Sequence, residues 1–379
     1  MAIVLNTEAD NTSSLNNEML FVAYEATKAI DPLTYVDYAY VCDVYIDSSL
    51  IGRVISRPDP THDRGIFDIA PILRSYASYG LNASAQTVDF APYISYRLKF
   101  GEQYGATLYT NLLVDPTDRR AFTTYKTKPF LSTQVLGSAL ASNRPDPSYY
   151  HRNQAYFLLP FYQNATGAFD LDILYKDAAG NTVGTDTVNS SMLIDKGIRQ
   201  VNIINTPPPS TAEYISLTQV SAGPVFTARV NLKCSKYPVY TIAWLNPYGA
   251  YESQSFGMVS KKMLEMEKKS FEQTDYRINA SGEVSYSENN VFYGGKRGFA
   301  NKVKVSMNLT TELLTDDEYT WLADLFKSTD VYIYDTVNSK FLPVIIRESS
   351  YEYRTYLNSR LQPIKFTVEL SADHNSQFL

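Results

Sequence analysis

The chain has 379 residues, 34 Lys/Arg against 40 Asp/Glu for a net charge of −6, and 44% hydrophobic residues. That length exceeds one ordinary core and calls for two or three domains. The charge balance argues against a nucleic-acid groove, which needs clustered Lys/Arg, and no segment approaches the ~18 consecutive apolar residues of a membrane-spanning helix.

Met1 to about Asn17 is polar and reads as an N-terminal arm. MAIVLNTEAD has neither the basic leader nor the apolar run of a secretory signal. Cys42 and Cys234 are too far apart in sequence for a metal or redox motif, so both are expected as buried thiols in a reducing cytoplasm. From Val36 to Ile46 the residues alternate cleanly, with Val36, Tyr38, Tyr40, Cys42, Val44 and Ile46 on one face, as in a half-buried strand. Asp47-Ser48-Ser49 supplies a turn and Leu50 to Ile55 returns as its hairpin partner. After the loop RPDPTHDRG, GIFDIAPILRSYASYG predicts a helix over about 68–79, with Asp68 as N-cap, Pro71 in the first turn and Gly80 as the stop. Tyr93 to Phe100 reads as a strand closing in the glycine-bounded turn GEQYG.

SNRPDPSYYHRN (Ser142 to Asn153) is turn-rich and reads as a linker. Phe169 to Tyr175, the turn in KDAAGNTV, Glu213 to Thr218 and Val225 to Leu232 are spaced like the strands of a small sandwich. TPPPS (Thr206 to Ser210) can belong to no central strand. Val239 to Leu245 is a strand followed by the turn NPYG. MVSKKMLEMEKKSFEQ fits neither period: its helix propensity is high, but β context can override that. SENNVFYGGKRGFAN reads as a loop, and Val303, Val305, Met307 and Leu309 alternate as a strand.

The sharpest local signal is LLTDDEYTWLADLFKS. Thr315 followed three residues later by Glu318 is a capping box. Asp316 and Asp317 place negative charge at the favourable end of the helix dipole. Tyr319, Leu322, Leu325 and Phe326 make one apolar face. VYIYD (Val331 to Asp335), FLPVII (Phe341 to Ile346) and LQPIKFTVEL (Leu361 to Leu370) then predict an antiparallel sheet beneath that helix.

The expected fold is therefore mainly β with a few short helices, in β-sandwich-type domains. The expected units are about 1–135, a β-rich domain with the short helix; about 150–235, the small sandwich; and about 236–379, a β domain with the capped helix at about 315–328.

The search for chemistry assigns no catalytic, cofactor-binding or metal-ligating residue. His62, His151 and His374 have no partner at ligand spacing; His62 sits beside Asp59 and Asp63 in a loop whose default reading is a solvated turn. GGKRG (Gly294 to Gly298) lacks the spacing of a phosphate loop and reads as a flexible tip. Asp170 and Asp172 share a strand face, as an outward polar row or a cation pair. Glu102 is an isolated acid read as a turn residue. Lys261–Lys262 with Lys268–Lys269 read as a solvated face. Aromatics interleave with Arg and Lys at Tyr93–Phe100 and Tyr351–Tyr356, in a pattern that fits stacking on sugars or bases, or the polar outer face of a strand. The 31 tyrosines suit strands and also interfaces, where the ring is buried and the hydroxyl stays polar.

Several stretches together resemble a family of virion structural proteins from tailed bacteriophages of Bacteroidetes, including the crAss-like phages. The resemblance is carried by YVCDVYIDSSLIGRV with RPDP and GIFDIAPIL, by YRLKFGEQYG, by YTIAWLNPYGAYESQSF, and by LLTDDEYTWLADLFKSTDVYIYD, FLPVIIRESSYEYRTYLN and LQPIKFTVELSADHN. It keeps its order over roughly two-thirds of the chain and omits the region from about 140 to 235. Relatives are longer and carry extra insertions, which leaves the station in the particle open. The resemblance implies a tail, ring, collar or baseplate subunit without enzymatic activity. It would be made in the host cytoplasm, incorporated in the virion, closed into a cyclic homo-oligomer of sixfold or twelvefold symmetry and set against other tail or neck proteins. The alternative is a carbohydrate-binding adhesin of a tail tip; a glycoside hydrolase, which needs two carboxyls facing across a cleft, comes last.

Overall fold

The computed structural model describes residues 3–9, 12–15, 18–26, 37–77, 80–81, 88–90, 93–104, 107–114, 118–122, 139–140, 142–146, 148–152, 156–163, 167–194, 197–202, 208–219, 226–348, 363–370 and 374–375. The fold is mainly β, with many antiparallel sheets and two helices among the described residues. Tyr351–Tyr356 and the edge expected near residue 135 lie outside the described residues.

The first core lies between two sheets. A three-stranded sheet orders Ile3–Thr7, Leu20–Glu25 and Gly65–Asp68. It faces a larger sheet built on Ala39–Ile46, its hairpin partner Ser49–Ser56, and the long strand Tyr93–Tyr104. Phe21 and Phe67 from one side meet Tyr40, Cys42, Leu98 and Phe100 from the other, all fully buried. The expected hairpin is therefore present, shortened at its start. The first helix is also shorter than expected, Ala70–Arg74, with Ile69 as N-cap. Asp68 is not that cap: its carboxylate accepts from the backbone N–H of Met19 at 3.0 Å as well as from Ala70 at 3.1 Å, which ties it to the preceding strand.

The second core lies between a four-stranded and a five-stranded sheet. Leu159, Phe161 and Val201 pack against Leu171, Ile173, Val188, Ile215 and Leu217. Leu158 points the other way, into a separate cluster with Ala243, Leu245 and Tyr251. Strand Leu158–Gln163 is thus buried on both faces, which explains its unbroken apolar start. Val88–Phe90, expected inside the first unit, pairs instead with Gly197–Asn202. The stretch read as a linker is in part buried: Arg144 is inside, and Ser148–His151 pairs in parallel with Phe226–Lys233 with all four of its residues inside. Its turn-forming residues describe the local bends but not the long-range partners that cover them.

The third core belongs to an eight-stranded sheet carrying the capped helix Asp316–Lys327. The capping box is formed: Glu318 N–H donates to Thr315 Oγ1 at 3.3 Å, and Thr315 N–H to Glu318 Oε2 at 2.8 Å. Such a cap contributes about 1 kcal/mol. Leu322 and Leu325 are buried as expected, and Tyr319 and Phe326 pack partly. Trp321, absent from the expected face, is the helix's largest anchor and lies 5.5 Å from the Trp244 ring. Val331–Asp335, Lys340–Ile346 and Lys365–Leu370 form the antiparallel floor below. Among the described residues no helix is long and apolar enough to cross a membrane.

Candidate interaction surface

Most residues weighed as candidates from sequence are held by structural partners. His62 is exposed, with Nδ1 3.0 Å from Asp59 Oδ1, and Asp59 also accepts from the backbone of Thr61 and His62 at 2.9 Å. The Thr61 backbone donor first, and the His62 imidazole second, hold the Asp59 carboxyl below its usual range. Asp63 has a positive φ of 53° and its carbonyl accepts from the Tyr40 hydroxyl. Asp172 accepts from Thr187 across the strand pair at 3.3 Å. His374 lies on a two-residue strand beside Val303. The side chains of Asp170 and His374 lie outside the described residues, among which no group of three metal-ligating side chains occurs. Lys99 stands 4.6 Å over the Tyr45 ring and Arg97 pairs with Asp118 at 2.5 Å, so the basic residues between Tyr93 and Phe100 are taken up within the sheet.

Two expectations are corrected. Glu102 is no turn residue: it is fully buried inside strand Tyr93–Tyr104, and the Tyr38 hydroxyl donates to it at 2.7 Å. The glycines of GEQYG suggested a turn, but the strand runs on through Gly101 with a bulge between Phe100 and Glu102. That carboxylate and, above all, burial push the Tyr38 phenol well above its ordinary pKa. Cys234 is exposed rather than buried, because it follows the last residue of its strand.

Sequence reading missed a buried polar clasp. Glu252, with no exposure, accepts from Trp321 Nε1 at 3.1 Å and from the Ser142 hydroxyl. Arg144 lies between the rings of Trp321 and Phe157, 4.5 and 4.7 Å from their centroids, and donates to Ser253 O and Gln254 Oε1. Asn143 donates to Asp324 at 2.9 Å and accepts from Tyr248 at 2.9 Å. Burial pushes the Glu252 carboxyl up to about 7, against the pull of Arg144, and burial lowers Arg144 to about 10. A second cluster joins Glu312 to Lys233 at 2.5 Å and places it 3.2 Å from His151 Nε2, within ion-pair range but poorly aligned for a hydrogen bond. These neighbours, His151 first, draw Glu312 down to about 2. Both clusters fasten segments far apart in sequence.

The feature that faces outward is a long hairpin arm. The stretch with ambiguous period is strand Lys261–Gln273, paired antiparallel with Gly295–Thr310. Thirteen residues at the usual rise make a ribbon about 40 Å long. Only the first part of the expected loop lies at its tip, where Asn289 and Asn290 take positive φ of 50° and 63°, as a tight two-residue hairpin requires. GGKRG is no flexible tip from Gly295 on, because Gly295 to Gly298 pair with Gln273 to Ser270 in the shaft.

Pleating sorts the ribbon into two unlike faces. Glu265 stands opposite Lys304, and Arg347 reaches across to Glu265 at 3.1 Å and Glu369 at 2.7 Å, so this face satisfies its own charges. The other face carries Leu264 opposite Val305 and Met266 opposite Val303. Leu264 and Met266 are 56% and 54% exposed. Toward the body this face runs into an open cavity of about 490 Å³ lined by Tyr240, Lys262, Val305, Met307, Leu342 and Val368. Beyond the shaft, the two small hairpins of the tip expose Ile278, Val284, Tyr286, Val291 and Phe292. Eleven of the twenty exposed large hydrophobics among the described residues fall between 258 and 292, so the apolar surface is concentrated on the arm. Lys261–Gln273 is also the last strand of its sheet, and its outer edge meets no described strand.

No family model and no curated protein matches this chain. Among solved structures, extracellular domains 3–5 of Drosophila OTK are similar at 8% identity and a TM-score of 0.23, over 80% of this chain and 92% of that one. The native conformation of E. coli alpha-2-macroglobulin is similar at 9% identity and a TM-score of 0.21, over 97% of this chain and 27% of that one. Likenesses at these scores carry no argument about this chain.

Proposed function

We propose that this chain is a non-enzymatic structural subunit of a tailed-phage particle, a tail, ring, collar or baseplate component that assembles into a symmetric homo-oligomer and contacts other virion proteins. The observation that carries the reading is the arm. It holds apolar side chains in water on a ribbon stiffened by cross-strand pairing and by the Arg347 ion pairs. A concentrated apolar surface of this kind marks a contact site. The sequence resemblance to phage virion proteins supplies the setting. The test is mass spectrometry of purified particles, with antibody labelling in electron micrographs to place the chain. Presence at stoichiometric, multiple copies is expected; absence from the particle overturns the reading.

A further inference from the structure

The arm's charge differs from that of the rest of the chain. Its two shaft strands, residues 261–273 and 295–310, carry eight Lys/Arg against three Asp/Glu. Outside residues 257–310 the chain carries 25 Lys/Arg against 34 Asp/Glu. A basic shaft with one open apolar face therefore projects from an acidic body. We propose that the apolar face of the arm seats on the acidic body of a second copy of this chain, head to tail. This rests on the assembly reading above and names the surface and the partner.

Two arrangements between copies would cover Leu264 and Met266. Arm against arm, about a two-fold axis, brings two basic shafts together, and like charges at close range oppose the contact. Arm against body brings opposite net charges together and leaves each copy with one free arm and one free body. Such a heterologous contact repeats until it closes into a ring or runs on as a filament.

The size of the surface also fits repetition. One face of a ribbon about 40 Å long and two strands wide offers roughly 400–500 Å², below the roughly 800 Å² per partner of a stable two-body interface. A single arm contact is then weak, and closure of a ring, which makes the last contact intramolecular, stabilises the assembly. The lysines at 261, 262, 268 and 269 on the free edge strand discourage indiscriminate strand pairing.

The test uses the full chain. An equal mixture of isotopically light and heavy protein is treated with a zero-length amine–carboxyl cross-linker, and its assembly state is followed by sedimentation. Mixed light–heavy links from Lys268 or Lys269 to acids outside 257–310 are expected. Leu264→Asp with Met266→Asp should weaken association more than about tenfold with the melting temperature of the monomer unchanged, since both residues are exposed. Lys268→Glu with Lys269→Glu, at exposed positions, should do the same at low salt. Raising salt to about 0.5 M, where screening acts within about 5 Å, should weaken the wild type toward that variant. A monomeric wild type, links confined to arm and arm, or an apolar-face variant that assembles normally overturns the proposal. A chain present in virions whose arm variants assemble normally overturns the arm contact alone. A chain absent from virions that assembles through its arm overturns the particle reading alone.

Discussion

Trp321 donates its indole N–H to Oε1 of Glu252 at 3.1 Å, across 69 residues of sequence, and so fastens the capped helix to strand Tyr251–Phe256. The same carboxylate takes the Ser142 hydroxyl, so three distant segments close on one ionisable group that has no contact with water.

That burial makes stability depend on pH. The folded Glu252 carboxyl titrates near 7, above its usual 4.5. Its contribution is fully present below about pH 4.5 and is lost as pH rises through 7, because the unfolded chain releases the proton first. The loss is about 3 kcal/mol. Glu252→Gln keeps the shape without the charge. Urea denaturation from about pH 5 to about pH 8 should show the wild type weakening relative to the variant. Parallel curves would refute this account.

Arg144 is the partner that makes the ionised form tolerable. Arg144→Met removes the guanidinium between Trp321 and Phe157 and leaves Glu252 without its cation. A cost of about 3–5 kcal/mol is expected at pH above 7, and a smaller one in acid, where the carboxyl is neutral. Adding Glu252→Gln should recover much of it, because the charge left behind causes most of the loss. A double-mutant cycle in urea with no coupling would reject the pairing.

What could be read from sequence follows from how local the cause is. Thr315 and Glu318 cap a helix within four residues, so the pattern was visible and the structure matches it. The strand at Ala39–Ile46 and its partner were visible in the same way, through alternation across a short turn. Lys261–Gln273 was ambiguous because Met, Leu, Glu and Lys all favour helix; thirteen backbone pairings with Gly295–Thr310 decide for strand. Ser142–Arg144 looked like a linker because its partners, Glu252, Ser253 and Asp324, lie more than 100 residues away. The arm was hidden for a related reason: nothing in the sequence marks Leu264 and Met266 as exposed rather than as core residues.

Close packing between two strands gives a third prediction. A Cβ added at Gly65 would lie 2.6 Å from the Tyr40 Cβ and 2.7 Å from its ring. Tyr40 is fully buried and its hydroxyl is tied to the Asp63 carbonyl at 2.8 Å, so it has little room to yield. Gly65→Ala should cost about 1–3 kcal/mol. Gly80→Ala, with no described atom within 4 Å of the new methyl, should stay within about 0.5 kcal/mol. Equal effects on the melting temperature would mean that the strands part more easily than their packing implies.

Glu312 works with the opposite sign to Glu252. His151 first, and then Lys233, hold its carboxyl near 2, below the usual 4.5. Its contribution is fully present above about pH 4.5 and is lost as pH falls toward 2. Its side chain is 23% exposed, and screening there reduces the effect to about 2 kcal/mol. One carboxyl thus weakens the fold in acid and the other in base, so together they place a stability maximum near pH 4.5 to 5. Glu312→Gln should flatten only the acid flank and Glu252→Gln only the alkaline flank. The two changes should fall somewhat short of adding in the double variant, because Tyr149, with Lys233 over its ring and His151 against its edge, lies within electrostatic reach of both Glu312 and Arg144. If either single variant moves both flanks, the clusters are coupled through the helix that Thr315 caps between them.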